Sequence, residues 1–193
     1  MNYDVYTWGP LIWRSKLSED IVENLLTRGN KIRNQEEFNS ERDLAMNTHD
    51  EWKYPLKDVV WFSESIKVKI KDYMNIWAKH LGCAYDKLEW GMDSLWINYM
   101  KQNDFNPLHD HKGNVSFIVY LNNVDELKTE KERFNMTNNG PIPGSIMFCH
   151  NDERKYFFPS KGDMFIFPSN TLHLVVPYKT DIERISVSGN IMF

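Results

Sequence analysis

Cysteine is scarce: Cys83 and Cys149 are the only two in 193 residues. A multi-disulfide scaffold is thereby excluded, and two reduced, mostly buried thiols are expected. Long apolar runs are missing too, since no stretch approaches 18 consecutive apolar residues, so no membrane-spanning helix is expected. The opening MNYDVYTWGPLIWRSK has no basic n-region, apolar h-region or small-residue cleavage site of a secretory signal. Nor is charge of one sign in excess. The 23 Lys and Arg against 27 Asp and Glu leave a formal net charge of -4, interspersed rather than gathered into a basic stripe able to track phosphates. Nucleic acid and membrane are not expected partners, and a soluble intracellular protein is. Internal repeats and low-complexity tracts are absent as well.

The length fits one domain with a sizeable core, arranged as a helical layer beside a sheet. Ser18 as N-cap, the acidic pair Glu19 and Asp20, and Ile21, Val22, Leu25 and Leu26 at helical spacing predict a helix near 18–28 that stops at Gly29. A second short helix is expected over 34–46. From Val59 to Leu81 the residues Val60, Ile66, Ile70, Met74, Trp77 and Leu81 recur at roughly helical intervals, predicting a long helix that ends at Gly82. After Tyr85 the pattern turns to short β-rich segments: LEWGM, SLWINYM, VSFIVYLN, SIMFCH, KYFFP, DMFIFP, LHLVVPY and RISVSGNIMF. About eight strands with frequent turn signals predict a sandwich or a rolled double sheet. The stretch 135–144, rich in Asn, Gly and Pro, reads as a loop.

Within the strand-rich half lie His109-Asp110-His111, then His173, then Arg184 eleven residues further on. Side chains alternate in an extended segment, so His109 and His111 point one way and Asp110 the other. One rigid segment thus offers two imidazole nitrogens to one ion, and His173 can supply a third from across a barrel. Three facial nitrogens leave open positions on a divalent first-row metal. Arg184, Ser186 and Ser188 share one face of the last strand. A guanidinium is a planar fork that fits a carboxylate, and a hydroxyl two residues on reaches the same group. The combination reads as a non-haem Fe(II) oxygenase whose 2-oxoglutarate is held at its distal carboxylate by Arg184 and Ser186.

The segments HDHKGNVSFIVYLN, GDMFIFPSNTLHLVVP and ERISVSGNI resemble the 2-oxoglutarate and Fe(II)-dependent oxygenase superfamily, and within it the small prolyl-4-hydroxylase-like members of bacteria and phages. The resemblance covers about 90–193. It implies an α+β protein with a double-stranded β-helix (jelly-roll) core over about 88–193 and a helical N-terminal supporting layer over about 15–85. It further implies Fe(II) held by His109, His111 and His173, and 2-oxoglutarate held by Arg184. Tyr120 and Tyr99 fall on family tyrosines near the cosubstrate. Asn98 points opposite to Tyr99, so one of the two lines the pocket. The implied reaction hydroxylates a C–H bond, of a prolyl or other peptidyl residue or of a small molecule, in the cytoplasm of a bacterium or a phage-infected host.

One departure stands out: His111 occupies the place where most of the superfamily carries Asp or Glu, which makes a bound metal more positive by one unit. Should the loop bend sharply, Asp110 would replace a histidine. Two rival readings remain: a cupin-like three-histidine metal dioxygenase, and a non-catalytic barrel with structural zinc. The latter would need a fourth ligand such as Cys149 or His150. The N-terminal stretch and the 122–144 region are candidates for lids over the site, and Trp8, Trp13, Trp52, Trp61 and Trp90 for substrate contacts.

Overall fold

The computed structural model describes residues 3–40, 50–82, 89–136 and 140–193. The N-terminal stretch is not a lid: it forms an antiparallel hairpin of β1 (Tyr3–Thr7) and β2 (Leu11–Lys16), which continues a sheet. The helix α1 (Glu19–Ile32) starts at Ser18 with its acidic first turn, as its spacing predicts, but runs through Gly29. A Cβ there would lie 2.3 Å from Ile97 Cδ1 and 2.9 Å from the Tyr54 hydroxyl, so Gly29 marks a close helix-to-sheet approach rather than a stop. The helix expected over 34–46 is only a 3₁₀ turn at Glu36–Phe38 within the described residues, and 41–49 lie outside them.

After β3 (Glu51–Lys53), Pro55 sets the extended entry to α2 (Leu56–Leu81). Its buried Phe62, Ile66, Ile70, Tyr73 and Met74 form one stripe, each worth about 1.5–3 kcal/mol of gross burial. Gly82 ends it at φ 70°, a left-handed C-cap. Among the described residues eight strands follow: β4 (Gly91–Met100), β5 (Asn106–His109), β6 (Val115–Tyr120), β7 (Ile146–His150), β8 (Glu153–Phe157), β9 (Asp163–Pro168), β10 (Leu172–Val175) and β11 (Arg184–Met192). LEWGM and SLWINYM are not separate strands: β4 runs unbroken from Gly91. The one-turn helix α3 (Glu130–Arg133) lies between β6 and β7. The described part of 135–144 carries neither helix nor strand.

Every pairing is antiparallel, in a seven-stranded sheet of order β1-β2-β9-β6-β11-β4-β3 and a four-stranded sheet of order β5-β10-β7-β8. Strand alternation assigns the two faces of the larger sheet to different cores. Ile97, Tyr99, Val119 and Val187 meet α1 and α2, whereas Ile118, Tyr120, Phe165 and Phe167 meet Ile146 and Phe148 of the smaller sheet. The second space opens, at the β4–β11 side, into the cavity described next. The described part of the 122–144 region is anchored around Leu127, which is fully buried, and Glu130, whose buried carboxylate accepts from the Lys179 and Thr180 amides. Cys149 is a free thiol, and Cys83 lies outside the described residues. Among the described residues no helix is long and apolar enough to cross a membrane.

Candidate metal and cosubstrate site

His109 and His173 are direct cross-strand partners on β5 and β10. His111 follows β5 by two residues, and its amide donates to the Ser169 carbonyl at 2.9 Å, which fixes the loop against the turn after β9. The three rings converge, with centroids 4.3 Å apart for His109 and His173, 4.9 Å for His109 and His111, and 5.0 Å for His111 and His173. One nitrogen of each lies within 4.8 Å of the others. Nitrogens sharing one ion at about 2.1 Å stand about 3–3.5 Å apart, so a closure of at most about 1–2 Å completes a site.

Two of the rings are turned by the same local device. His109 Nδ1 lies 2.7 Å from the Pro107 carbonyl, and His173 Nδ1 lies 2.9 Å from the Thr171 carbonyl, each two residues back. A carbonyl only accepts, so Nδ1 carries the proton and Nε2 keeps its lone pair for a metal. Burial, reinforced by the neighbouring imidazoles, pushes His173 down to about 3. Burial and His109 push His111 down to about 4, and burial lowers His109 against the opposing pull of its Pro107 contact and of Asp110. Three neutral nitrogen donors at neutral pH suit a divalent first-row metal.

These rings border a cavity of about 330 Å³, the lower end of the range for ligand pockets, roughly 300–1,000 Å³. Arg184 also lines it, 2% exposed, with Nε and Nη2 lacking any partner and Nη1 reaching only Met100 Sδ at 3.8 Å. Its guanidinium carbon lies 4.7 Å from the centre of the Tyr120 ring. The Tyr120 hydroxyl is likewise buried and unpartnered, and burial pushes it up to about 12 against the pull of Arg184. Ser186 is buried at the cavity wall, register partner of Asn98 on one side and of Tyr120 on the other. A buried guanidinium facing unfilled space costs several kcal/mol unless an anion joins it. The donors left open here match a carboxylate.

Tyr99 does not belong to this set. Its hydroxyl donates to Asn30 Oδ1 at 2.8 Å and its ring carries the Arg33 guanidinium at 3.7 Å, on the helical side of β4. Asn98, its neighbour in the alternation, lines the cavity instead with an unpartnered Oδ1. Asp110 borders the cavity but is exposed and outside the converging group, and the half-buried Cys149 and exposed His150 lie outside that group too, so no fourth ligand joins the three imidazoles among the described residues. Sequence reasoning misses Trp96, whose ring meets His111 edge-on at 5.7 Å, and Asn106, whose buried Oδ1 is unpartnered. Trp96 was accessible through the strand period that pairs it with Asn98. Asn106 carries no local signal. Trp13 and Trp52, among the tryptophans considered for substrate contact, are buried in the helical-side core.

Two antiparallel sheets enclosing three converged imidazoles and an unpaired buried guanidinium make the framework of a metal-dependent enzyme that takes an acidic cosubstrate. The family described as "Putative 2OG-Fe(II) oxygenase" matches residues 94–190, which carry all of these groups. The chain belongs to this family of 2-oxoglutarate and Fe(II)-dependent oxygenases, and Fe(II) and 2-oxoglutarate are its cofactors. No curated protein sequence matches it. Among solved structures it is similar to a prolyl-4-hydroxylase of Pseudomonas putida (TM-score 0.60, 16% identity, covering 92% of this chain and 90% of that one). It is equally similar to the viral collagen prolyl hydroxylase vCPH of Paramecium bursaria Chlorella virus-1, solved with 2-oxoglutarate (TM-score 0.60, 15% identity, 93% and 94% covered). HygX of Streptomyces hygroscopicus, solved with nickel, 2-oxoglutarate and hygromycin B, gives TM-score 0.60 at 10% identity, with 95% and 82% covered. At these identities the likeness is one of fold.

Proposed function

We propose that this oxygenase hydroxylates a C–H bond of a peptidyl residue, prolyl in the first instance, with His109, His111 and His173 holding the iron and Arg184, Ser186 and Tyr120 the distal carboxylate of 2-oxoglutarate. The chain is read as a single domain, a double-stranded β-helix over about 88–193 with helical support over about 15–85. The observation that carries the assignment is Arg184: a buried cation without an anion, in the same cavity as the three imidazoles. With Ser186 beside it, this cation argues against a cupin-like site used for metal storage or for a substrate without a carboxylate. The peptidyl substrate is supported by the prolyl hydroxylases among the fold relatives, whereas HygX, solved with hygromycin B, supports a small molecule as the alternative.

When bound, iron and 2-oxoglutarate supply the oxidising chemistry, with 2-oxoglutarate decarboxylated to succinate as the C–H bond is hydroxylated at the expense of dioxygen. The protein's own residues supply the positioning. The Pro107 and Thr171 carbonyls hold two imidazoles in the metal-binding tautomer. The Tyr120 ring and Met100 confine the guanidinium to one orientation. Trp96 and Phe167 wall the space beside the histidines with apolar surface. No side chain need act as general acid or base. The test is succinate formation from 2-oxoglutarate with Fe(II) and oxygen across peptide, amino-acid and small-molecule libraries. Stimulation by a proline-containing peptide, with one oxygen added to it, is expected. Stimulation only by non-peptidic compounds would overturn the peptidyl assignment, and no 2-oxoglutarate turnover at all would overturn the site assignment.

A further inference from the structure

The charged side chains lining the cavity are Arg184, Lys112 and Asp110. Arg184 is 2% exposed, while Lys112 and Asp110 are exposed at the rim, where water and salt screen them and their opposite charges offset. An imidazole that ligates a metal is neutral, so three of them admit a divalent ion at its full charge. The buried interior would then hold three positive charges, two from the ion and one from Arg184, and no buried anionic side chain among the described lining residues, Asp110 standing exposed at the rim. Within about 330 Å³ of partly enclosed space such charges repel more strongly than in bulk water. A carboxylate at position 111 would cancel one of them; His111 cancels none.

We propose that His111 makes metal binding and dicarboxylate binding strongly interdependent, each weak alone and tight in the presence of the other, because a dianion is the only counter-charge that enters the buried interior, beyond the exposed Asp110 at the rim. The inference rests on the oxygenase reading and adds to it a cause in charge rather than in chelation. Reciprocity follows from linkage: whatever factor the diacid contributes to metal affinity, the metal contributes to diacid affinity. The cavity therefore selects dianions over monoanions, and it retains its metal according to the dicarboxylate supply.

The test measures Co(II) affinity of the metal-free protein by calorimetry, alone and with saturating glutarate, glutaramate or 2-oxoglutarate. Glutarate has both carboxylates but no keto oxygen, and glutaramate has one charge fewer. We expect glutarate to tighten Co(II) binding by about tenfold or more, within the usual range of site-to-site coupling, glutaramate to do less, and 2-oxoglutarate to do most. In His111→Asp, Co(II) alone should bind tighter and the glutarate effect should shrink. A wild-type protein whose Co(II) affinity responds to 2-oxoglutarate but not to glutarate overturns the proposal, since chelation alone then couples the sites. Where His111→Asp does not fold by circular dichroism, the glutarate-to-glutaramate ratio on the wild type decides the matter. If 2-oxoglutarate neither binds nor alters Co(II) affinity, the oxygenase reading falls with the proposal, a result distinct from independent binding of both.

Discussion

Replacing Arg184 by methionine should abolish cosubstrate binding without weakening the fold. In the ligand-free protein the guanidinium is 2% exposed, two of its nitrogens have no partner, and a sulfur at 3.8 Å and the Tyr120 ring at 4.7 Å are its compensation. A desolvated cation–π contact returns about 2 kcal/mol, against several kcal/mol lost by burying an unpaired ion. Methionine keeps the apolar stem as far as the Nε position and removes the ion, so the ligand-free melting temperature should hold or rise. Binding behaves oppositely. Two charge-assisted hydrogen bonds at about 1.5–3 kcal/mol each amount to roughly 3–6 kcal/mol, a loss of at least 10²-fold in affinity. For the wild type with metal and 2-oxoglutarate at 100 times its dissociation constant, linkage adds about 2.7 kcal/mol, or about 5–11 °C for a chain of this size. The variant at the same concentration should gain no more than about 0.4 kcal/mol, about 1 °C. Differential scanning calorimetry with and without 2-oxoglutarate reads both effects. A variant that keeps the ligand-induced shift, or that loses several degrees without ligand, would refute the claim that this cation waits for an anion.

The His173→Ala protein should retain less than about a tenth of the wild-type metal by elemental analysis, since two imidazoles remain; unchanged content removes His173 from the site. Tyr99→Phe should leave 2-oxoglutarate affinity unaltered and cost about 1 kcal/mol in urea unfolding, because its hydroxyl serves Asn30 and not the cavity; a drop in cosubstrate affinity would contradict that placement. The metal-free protein should lose stability as pH falls below about 6.5: unfolded imidazoles take up protons there, whereas folded His111 and His173 resist until about 4 and 3. The unfolded state thus binds more protons throughout that window, and each histidine contributes a slope of about 1 kcal/mol per pH unit. Urea midpoints at pH 7 and pH 5 measure it, and equal midpoints would count against burial of neutral rings. Gly29→Val should destabilise by about 1–3 kcal/mol despite a better helix propensity, since even its Cβ meets Ile97; a stabilised variant would mean that α1 does not press on β4 as described.

Several features are legible because they are local. The periodicity of α2, its Gly82 stop and the acidic start of α1 are written in neighbouring residues, as are the apolar runs of β6, β9 and β11. The hairpin of β1 and β2 is not, because LIWRSK gains its strand character from pairing with β9 some 150 positions away. Gly29 reads as a helix end by composition and turns out to be a contact point, which depends on where β4 lies. Alternation shows that Asn98 and Tyr99 face opposite ways, yet assigning the cavity to one of them requires knowing which face of the sheet the helices cover.

Residue types and spacing by themselves determine the chemistry on offer: imidazoles two apart on an extended segment, a distant third, and an arginine on a strand face. Those facts follow from covalent geometry and from which side chains donate to metals or carboxylates. Tertiary structure alone decides that His109 stands opposite His173, that Arg184 is sealed in without a counter-ion, and that Tyr99 is spent on the helices. Register and burial are collective properties, set when two sheets close on one another, and no stretch of chain contains them in isolation.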